Sequence, residues 1–346
     1  MKKIILASFI FISTQFYAFG QEKHLSNLNQ LTFGGDNAEA YFSPDGLSLS
    51  FQSNNKKWGL ECDQIFKLDI KKAISDSNYI PPRISNGLGR TTCSYFMPNG
   101  KDILYASTFK GSHACPDEVH ITGKYLWSIY DDFDIYIADS NGNIKKQLTD
   151  TKGYDAEATV SPLGNKIVFT STRSGDLELW IMDIDGKNQK QVTHSLGYDG
   201  GAFFSPDGKK LVYRSSRPKG DSEISEYKSY FQRGLVAPTN MEIYTCNIDG
   251  SDVQQITNLG KANWAPFFHP SGKKIIFSSN HHSDKGYDFQ LFMINTDGTG
   301  LERITNESKF NSLPMFSPDG KKLIFSSNRN NGGTRDTNLF IADWID

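Results

Sequence analysis

Short runs of alternating apolar and polar residues recur along almost the whole chain. Typical examples are KDILYA, NKIVFT and KKLIFS, and each follows a turn of the form Ser-Pro-Asp-Gly or a close variant. Alternation with a period of two predicts β-strands that have one buried face. Because no long helical pattern interrupts these runs, the sequence predicts an all-β protein.

The turn occurs six times and defines six repeats. SPDG stands at 43–46, 205–208 and 317–320, and the variants MPNG, SPLG and HPSG stand at 97–100, 161–164 and 269–272. After each turn come a strand, a polar loop and a second strand, and most copies continue with an Asp-Gly or Asn-Gly type turn and a short last strand. Pro and Gly suit the first turn, and Asp-Gly favours a hairpin. Repeats of four strands predict a six-bladed β-propeller.

The two ends of the repeat array complement each other. The sixth repeat stops after its third strand, at Asp346, whereas 28–33 form an extra fourth strand ahead of the first turn. Pairing these two strands closes the ring and removes an unpaired sheet edge. We therefore expect residues 21–346 to form one six-bladed propeller domain. The fourth strands are expected near 28–33, 80–85, 144–149, 188–193, 252–257 and 300–305.

The first twenty residues have the pattern of a secretory signal peptide. Lys2 and Lys3 precede an apolar stretch, and Ala18 and Gly20 are the small residues that a signal peptidase reads before Gln21. No later apolar run approaches the length of a membrane span. The expected product is a periplasmic or secreted protein with no membrane span after signal removal.

Charge and cysteine content limit the possible partners and cofactors. The formal net charge is −2, from 37 basic and 39 acidic residues, and there is no basic patch, which argues against nucleic acid as a partner. The four cysteines fit no zinc pattern. Export permits disulfides, and a bond among Cys62, Cys93 and Cys115 would fix a long loop of repeat two. Cys246 is expected to be a buried free thiol.

The repeat unit, with SPDGKKLIFSSNR and NLFIADW as its last copy, resembles the TolB-like (PD40, WD40-like) propeller repeat over nearly all of 27–346. The resemblance implies a TolB-like six-bladed propeller and a link to biopolymer transport. The same repeat occurs in prolyl oligopeptidase-type enzymes, but this sequence has no hydrolase segment and no G-x-S-x-G turn, so we expect no such peptidase activity. The α/β domain that precedes the propeller in TolB proper also has no counterpart.

One position of the repeat holds a short polar residue at the start of each innermost strand. We expect these six residues to surround the mouth of the central channel, where propellers bind ligands. They are Asn37, Thr91, Asp155, Asp199, Asn263 and Asn311. The positions two residues further along hold Glu39, Cys93, Glu157, Gly201, Ala265 and Leu313.

Two interpretations of this ring remain open. The polar side chains could cap the turns that enter the strands. Alternatively, the carboxylates of Asp155, Asp199, Glu157 and Glu39 could form a cluster that binds a divalent cation or supplies an acid and a base. His281 and His282 could join Asp155 and Asp199 as weak metal-ligand candidates, and no other cofactor is predicted.

Two loops on the channel-mouth face are much longer than their counterparts. They span 110–132 in repeat two and 218–240 in repeat four, with a short helix expected around 222–232. Their aromatic and charged residues favour walls or a lid over a ligand site. Arginines at this rim would suit carboxylates, sulfates or phosphates. The candidate ligand-binding residues are Asn37, Glu39, Arg90, Asp155, Glu157, Arg173, Asp199, Arg214, Asn263, Trp264, His281, Asn311, Arg329 and Arg335.

Two functions are consistent with these features. The first is a non-catalytic propeller that binds a protein partner or an envelope biopolymer, such as a polysaccharide, across the channel mouth. The second is a metal-assisted hydrolase or lyase that acts on an acidic saccharide, with Asp155, Asp199 and Glu157 as the catalytic candidates. Because the sequence has no complete triad, metal motif or nucleotide loop, the binding function is favoured.

Overall fold

The computed structural model describes residues 22–346, and the predicted signal peptide lies outside them. The described chain begins with strand β1 (Leu25–Gln30) and then forms sheets one after another. Blade one contains β2 (Asp36–Phe42), β3 (Ser48–Asn54) and β4 (Gln64–Asp69), followed by the short helix α1 (Ile70–Ser75). Blade two contains β5 (Thr91–Phe96), β6 (Ile103–Ser107), β8 (Asp134–Ala138) and β9 (Ile144–Gln147), and the loop after β6 holds β7 (Trp127–Ser128).

The remaining blades repeat the same antiparallel order. Blade three contains β10 (Asp155–Val160), β11 (Lys166–Ser171), β12 (Glu178–Asp183) and β13 (Lys190–Gln191). Blade four contains β14 (Asp199–Phe204), β15 (Lys210–Ser216), β17 (Met241–Asn247) and β18 (Gln254–Gln255), with α2 (Gly220–Phe231) and β16 (Leu235–Val236) in its long loop. Blade five contains β19 (Asn263–Phe268), β20 (Lys274–Ser279), β21 (Gln290–Asn295) and β22 (Glu302–Arg303).

Blade six confirms the predicted closure of the ring. It contains β23 (Asn311–Phe316), β24 (Lys322–Ser327) and β25 (Asn338–Trp344), and β1 completes it by pairing antiparallel with β25. The strand β1 begins three residues earlier than predicted. The innermost strands contact one another in sequence, and β23 contacts β2, so the six blades surround a central channel.

One predicted strand is wrong. Residues 80–85 form only an isolated bridge between Phe66 and Arg83 beside β4, and blade one therefore has three regular strands. The reason is Pro81 and Pro82, which have no backbone N–H to donate to the sheet. The segment still follows the edge, because the Ile84 N–H donates to the Ile65 carbonyl at 2.8 Å.

The Ser-Pro-Asp-Gly turn is held by its own side chains. In blade four the Ser205 hydroxyl donates to Asp207 at 2.6 Å and accepts from the Lys210 N–H at 2.9 Å. Gly208 has a φ of 70°, a conformation that glycine adopts without strain. Buried apolar side chains pack between neighbouring blades and form the core. Within residues 22–346, neither helix is long and apolar enough to cross a membrane.

Candidate functional site

Every innermost strand contains a β-bulge at the same place, and the bulge directs one side chain into the channel. The pairing register shifts once in each of these strands, for example between Ala38 and Tyr41 in blade one. The residue at the bulge has a left-handed backbone, with φ of 52° at Glu39 and 57° at Glu157. Bulges re-aim side chains in this way. The six channel-facing residues are Glu39, Cys93, Glu157, Gly201, Ala265 and Leu313.

Glu157 is the most extensively bonded of these residues. Its carboxylate accepts hydrogen bonds from the Tyr198 hydroxyl at 2.5 Å, the Thr170 hydroxyl at 2.7 Å and the Gly201 N–H at 2.8 Å, and it forms an ion pair with Arg214. Burial opposes ionisation of Glu157, but the Arg214 charge and the hydrogen bonds outweigh it and lower its pKa. Glu157 is therefore a fixed carboxylate that neutralises Arg214.

The two glycines of GYDGGAFFSP explain how this pair fits beside the channel. A Cβ atom on Gly201 would lie 1.9 Å from Nη1 of Arg214, and one on Gly200 would lie 2.4 Å from Oε2 of Glu157. The matching positions in the blade-three copy, GYDAEATVSP, hold Ala156 and Glu157. One copy of the motif thus supplies the carboxylate, and the other leaves the space that it occupies.

The polar ring predicted for the channel mouth lies elsewhere. All six residues are buried at the start of their strands, and none lines the channel cavities found in residues 22–346. Asn263 shows their role, because its side-chain N–H groups donate to the carbonyls of Met241 at 2.8 Å and Gly260 at 3.1 Å. These side chains join each blade to the preceding one, in agreement with the capping interpretation.

Two further residues of the preceding blade take part in this contact between blades. One is the first residue or the second residue of the third strand, and the other is a threonine or serine near the fourth strand. In blade five, Thr305 donates to Oε1 of Gln290 at 2.7 Å, and Asn311 of blade six donates to the same oxygen at 2.8 Å. At the boundary between blades three and four the equivalent third-strand residue is Glu178, beside Asp199. Burial raises the pKa of Glu178 to about 8, and the Asp199 charge contributes.

Arginines neutralise the buried acids of the ring. Asp155 pairs with Arg173 at 2.6 Å, and Asp199 pairs with Arg217 at 2.6 Å, each 18 residues later in the chain. Burial outweighs the arginines and raises the pKa of both aspartates. Asp155, Asp199 and Glu157 therefore do not form the predicted carboxylate cluster, because each is bound by an arginine of its own.

In blade six the ring position is Asn311, and the carboxylate comes from the N-terminal segment instead. Glu22 accepts hydrogen bonds from Arg329 at 2.6 and 2.8 Å, and Nε of Arg329 donates to Asn311 at 3.1 Å. Arg329 is thus enclosed by protein groups and not free at the rim. Arg335 lies on an exposed loop away from the channel cavities.

The histidine candidates do not join the aspartates. Nδ1 of His281 lies 2.8 Å from the Ser279 hydroxyl, and His282 lies 3.5 Å from Asp288. Burial lowers the pKa of both imidazoles. Across residues 22–346, no group of three or more His, Cys, Asp or Glu side chains is arranged to hold a metal ion.

The two long loops meet over the channel mouth. Their short strands β7 and β16 pair antiparallel, and Lys124 forms an ion pair with Glu226 of α2 at 2.8 Å. A disulfide between Cys62 and Cys115 attaches the blade-two loop to blade one, within the predicted trio. Cys246 is a buried free thiol, as expected. The helix α2 confirms the helix predicted near 222–232.

The two long loops, 110–132 and 218–240, together form a lid. Below this lid lies a cavity of about 590 Å³. Five of the predicted ligand-binding residues line it, namely Glu39, Arg90, Glu157, Arg214 and Trp264. The other nine lie outside it, namely Asn37, Asp155, Arg173, Asp199, Asn263, His281, Asn311, Arg329 and Arg335. Aromatic side chains form much of the wall, including Tyr125, Trp127, Tyr130, Tyr154, Tyr198 and Phe310.

Arg214 connects the lid to the channel. Its guanidinium carbon lies 5.1 Å from the ring centre of Trp127 in the lid and 4.9 Å from that of Tyr198. Trp127 in turn lies 5.2 Å from Trp264 of blade five. Cation–π contacts of this kind stabilise both partners. The lid is therefore packed onto the channel residues.

The tyrosines of the two GYD motifs line the cavity, although they are not among the binding residues predicted from the sequence. Tyr154 and Tyr198 are both buried there, whereas the neighbouring aspartates turn into the blade boundary. The repeat itself contains the signal, because it places an aromatic residue directly before the ring position in these two blades and, as Phe310, in blade six.

The comparisons with known proteins agree with this fold. Residues 235–336 match the family model described as the TolB beta propeller domain. The chain therefore has a TolB-type six-bladed β-propeller fold. No curated protein sequence gives a significant match.

Solved structures show the same architecture. A protein assigned as TolB from Agrobacterium tumefaciens has a TM-score of 0.59 at 19% identity, over 90% of this chain and 91% of that one. TolB from Acinetobacter baumannii has a TM-score of 0.54 at 19% identity, over 90% and 64%. An oligogalacturonate lyase in complex with manganese has a TM-score of 0.50 at 14% identity, over 92% and 93%. At these identities the likeness shows the fold alone.

Proposed function

We propose that this chain is an exported TolB-like propeller that binds a protein partner at the channel mouth without catalysing a reaction. The observation that supports this most is the cavity of about 590 Å³ beneath the two long loops. Ligand sites of propellers lie at this end of the channel, and cavities of this volume accept a side chain or a short peptide segment.

The rim of the cavity has the composition of a protein-binding surface. Tyr125 is 61% exposed and stands beside Trp127, whose indole N–H donates to the Tyr125 hydroxyl at 3.1 Å. Exposed tyrosine and tryptophan with an apolar body and a polar edge are enriched where proteins bind each other. A partner that covers Tyr125 would reach the channel residues below it.

The disulfide supports the proposed location. Cys62 and Cys115 are 53 residues apart and join the blade-two loop to blade one. Such bonds persist in oxidising compartments such as the bacterial periplasm. A periplasmic or secreted location is therefore consistent with both the proposed signal peptide and the fixed lid.

The hydrolase or lyase alternative receives less support from the site. Asp155 and Asp199 are bound to arginines at the blade boundaries, and Glu157 is saturated with hydrogen bonds. A catalytic acid or base needs a free proton position within reach of the substrate. Among the four carboxylates of the predicted cluster only Glu39 has one in the cavity, and it has no second free carboxylate to act as its acid or base partner. Envelope polysaccharide as a binding partner remains an outcome of the test below.

Site-specific photo-crosslinking tests the proposal. A benzophenone amino acid replaces Tyr125 at the cavity rim or, as the control, Leu163, which is 62% exposed in the SPLG turn on the opposite face and does not line the cavity. In cells that export the protein, we expect a defined protein adduct from position 125 and none from position 163. Equal labelling from both positions, or an adduct with polysaccharide only, would contradict a protein partner at the channel mouth.

A further inference from the structure

The charges that line the cavity are paired, with one exception. Arg214 is bound to Glu157, and Arg90 pairs with Glu118 at 2.5 Å and approaches Asp63 at 3.7 Å. Lys124 is bound to Glu226 of α2. The lining side chains that remain include one carboxyl group with no cationic partner among residues 22–346, that of Glu39.

Glu39 lies at the floor of the cavity, where the channel narrows. It lines both the large cavity and a small one of about 30 Å³ directly beneath it. Its Oε2 atom is buried and has no N–H or O–H donor among residues 22–346. The one described donor to the carboxyl group is the Cys93 thiol, which is weak and uncharged, and Arg214 is already bound to Glu157. A buried carboxyl group in this state costs free energy unless a ligand supplies the missing partner.

The walls above Glu39 favour a cation with an apolar stem. The ring centres of Trp127 and Trp264 lie 5.2 Å apart with the rings inclined by 51°, and Tyr125 continues this aromatic wall toward the rim, 6.3 Å from Trp264. Aromatic faces attract cations and exclude water from the path to the floor. An anionic group would meet the Glu39 carboxyl group, which has no cationic partner of its own, and the aromatic faces, so the cavity disfavours it.

We propose that the cavity is a binding site for a lysine side chain of the partner protein, with the Glu39 carboxylate as the counter-ion of its ammonium group. This inference rests on the proposed function and specifies its ligand. Lysine fits because its four-carbon stem can follow the aromatic wall while the partner's backbone stays at the rim. A single free carboxylate oxygen suits a compact ammonium group better than the planar guanidinium of arginine, which prefers two acceptors.

The test uses a peptide probe and a matched protein variant. The probe is acetyl-Gly-Lys-Gly-amide, titrated calorimetrically into the mature chain and into Glu39→Gln. The control variant Glu223→Gln removes the same charge from the exposed side of α2, outside the cavity. We expect binding to the wild type and to Glu223→Gln, with affinity for Glu39→Gln reduced about tenfold or more, the size of a charge-assisted hydrogen bond.

Changes to the probe keep the proposal testable if Glu39→Gln does not fold. The Nζ-acetylated lysine and norleucine peptides keep the stem and lose the charge, so neither is expected to bind the wild type. Binding of the norleucine peptide equal to that of lysine, or tighter binding of glucosamine, would overturn the lysine assignment. If position 125 crosslinks a protein while the lysine peptide fails, only this inference is wrong. If the peptide binds and position 125 captures nothing, the proposed function is wrong.

Discussion

Glu157 of blade three and Arg214 of blade four form a buried ion pair beside the channel, and both line the cavity under the lid. Removing one member of such a pair leaves an uncompensated buried charge, which is strongly destabilising. The pair therefore fixes the electrostatics of the site. It leaves Glu39 as the acidic group that a ligand can use.

Gly201→Ala should disrupt this ion pair. The added Cβ would lie 1.9 Å from Nη1 of Arg214, and the φ of 59° would be strained as well. We expect a loss of roughly 3 kcal/mol in the free energy of unfolding, as for overpacked cores with backbone strain. The control is Gly332→Ala, where φ is 64° and no atom lies within 4 Å. Chemical denaturation of both variants separates crowding from strain, and equal losses would contradict the packing argument.

Glu178→Gln should stabilise the protein at alkaline pH. The folded-state pKa of Glu178 is raised to about 8, so its contribution to stability is complete at acidic pH and is lost as the pH rises toward that value. Glutamine mimics the protonated form, and blades one and five have Gln64 and Gln290 at this position. The rise of the pKa from 4.5 to about 8 sets an upper limit of about 5 kcal/mol on the gain near pH 9, and we expect no gain near pH 4.

The control for this prediction is Glu242→Gln in the next blade. Its carboxylate accepts hydrogen bonds from Thr257 at 2.6 Å, Gly260 at 2.6 Å and Asn263 at 3.2 Å. An amide group would turn a donor toward these donors, so this variant should be less stable. Thermal melts of the wild type and both variants, recorded at several pH values, give the melting temperatures to compare. A higher melting temperature for Glu242→Gln, or an unchanged one for Glu178→Gln at alkaline pH, would refute the prediction.

Glu22→Gln should weaken the closure of the ring. Arg329 is buried, and the Glu22 carboxylate is the main group that neutralises its guanidinium. The substitution would remove this negative charge and leave the Arg329 charge without its main partner. We expect a loss of about 3 kcal/mol in the free energy of unfolding. Adding Asn311→Asp should restore part of this loss, because blades three and four have aspartate at that position. Lys23→Ala removes an exposed partner of Glu302 and should leave the melt unchanged. No rescue by Asn311→Asp would contradict the equivalence of the blades.

Binding of the lysine peptide should weaken as the pH falls. Burial is the main cause that raises the pKa of Glu39 to about 7, the charges of Glu157 and Asp63 contribute, and Cys93 and Arg214 oppose. Because the ammonium group pairs with the ionised carboxylate, affinity should fall close to tenfold between about pH 8 and about pH 6. Calorimetry at both values checks this. Affinity that does not change with pH would show that Glu39 is not the counter-ion.

Most of the fold could be predicted from the sequence because the same strand-and-turn pattern occurs six times. The SPDG turns and alternating strands identify the blades, and the additional strand β1 identifies the closure of the ring. The exception is the fourth strand of blade one, which Pro81 and Pro82 prevent.

The functional site was harder to predict than the fold. Counting along the repeat identified Glu39 and Glu157, but it did not show that a bulge turns these residues, rather than Asp155 and Asp199, into the channel.

The site is less predictable than the fold because it depends on contacts between blades and between blades and loops. The pairing of Glu157 with Arg214 depends on the space above Gly201, and the packing of Trp127 on Arg214 depends on how a long loop folds back. Neither follows from the alternation of strands. A repeat sequence specifies the position of each blade residue, and its partners come from the next blade or the lid.

The most direct test of partner binding at the channel mouth is hydrogen exchange of the mature chain, measured alone and with the partner captured through position 125. A partner at the channel mouth slows the exchange of backbone amides that it covers. We predict protection in 118–130 and 235–240, which form the lid around β7 and β16, and no change in the turns at 205–208, 269–272 and 317–320 on the opposite face. Protection confined to those turns, with the lid unchanged, would contradict binding at the channel mouth.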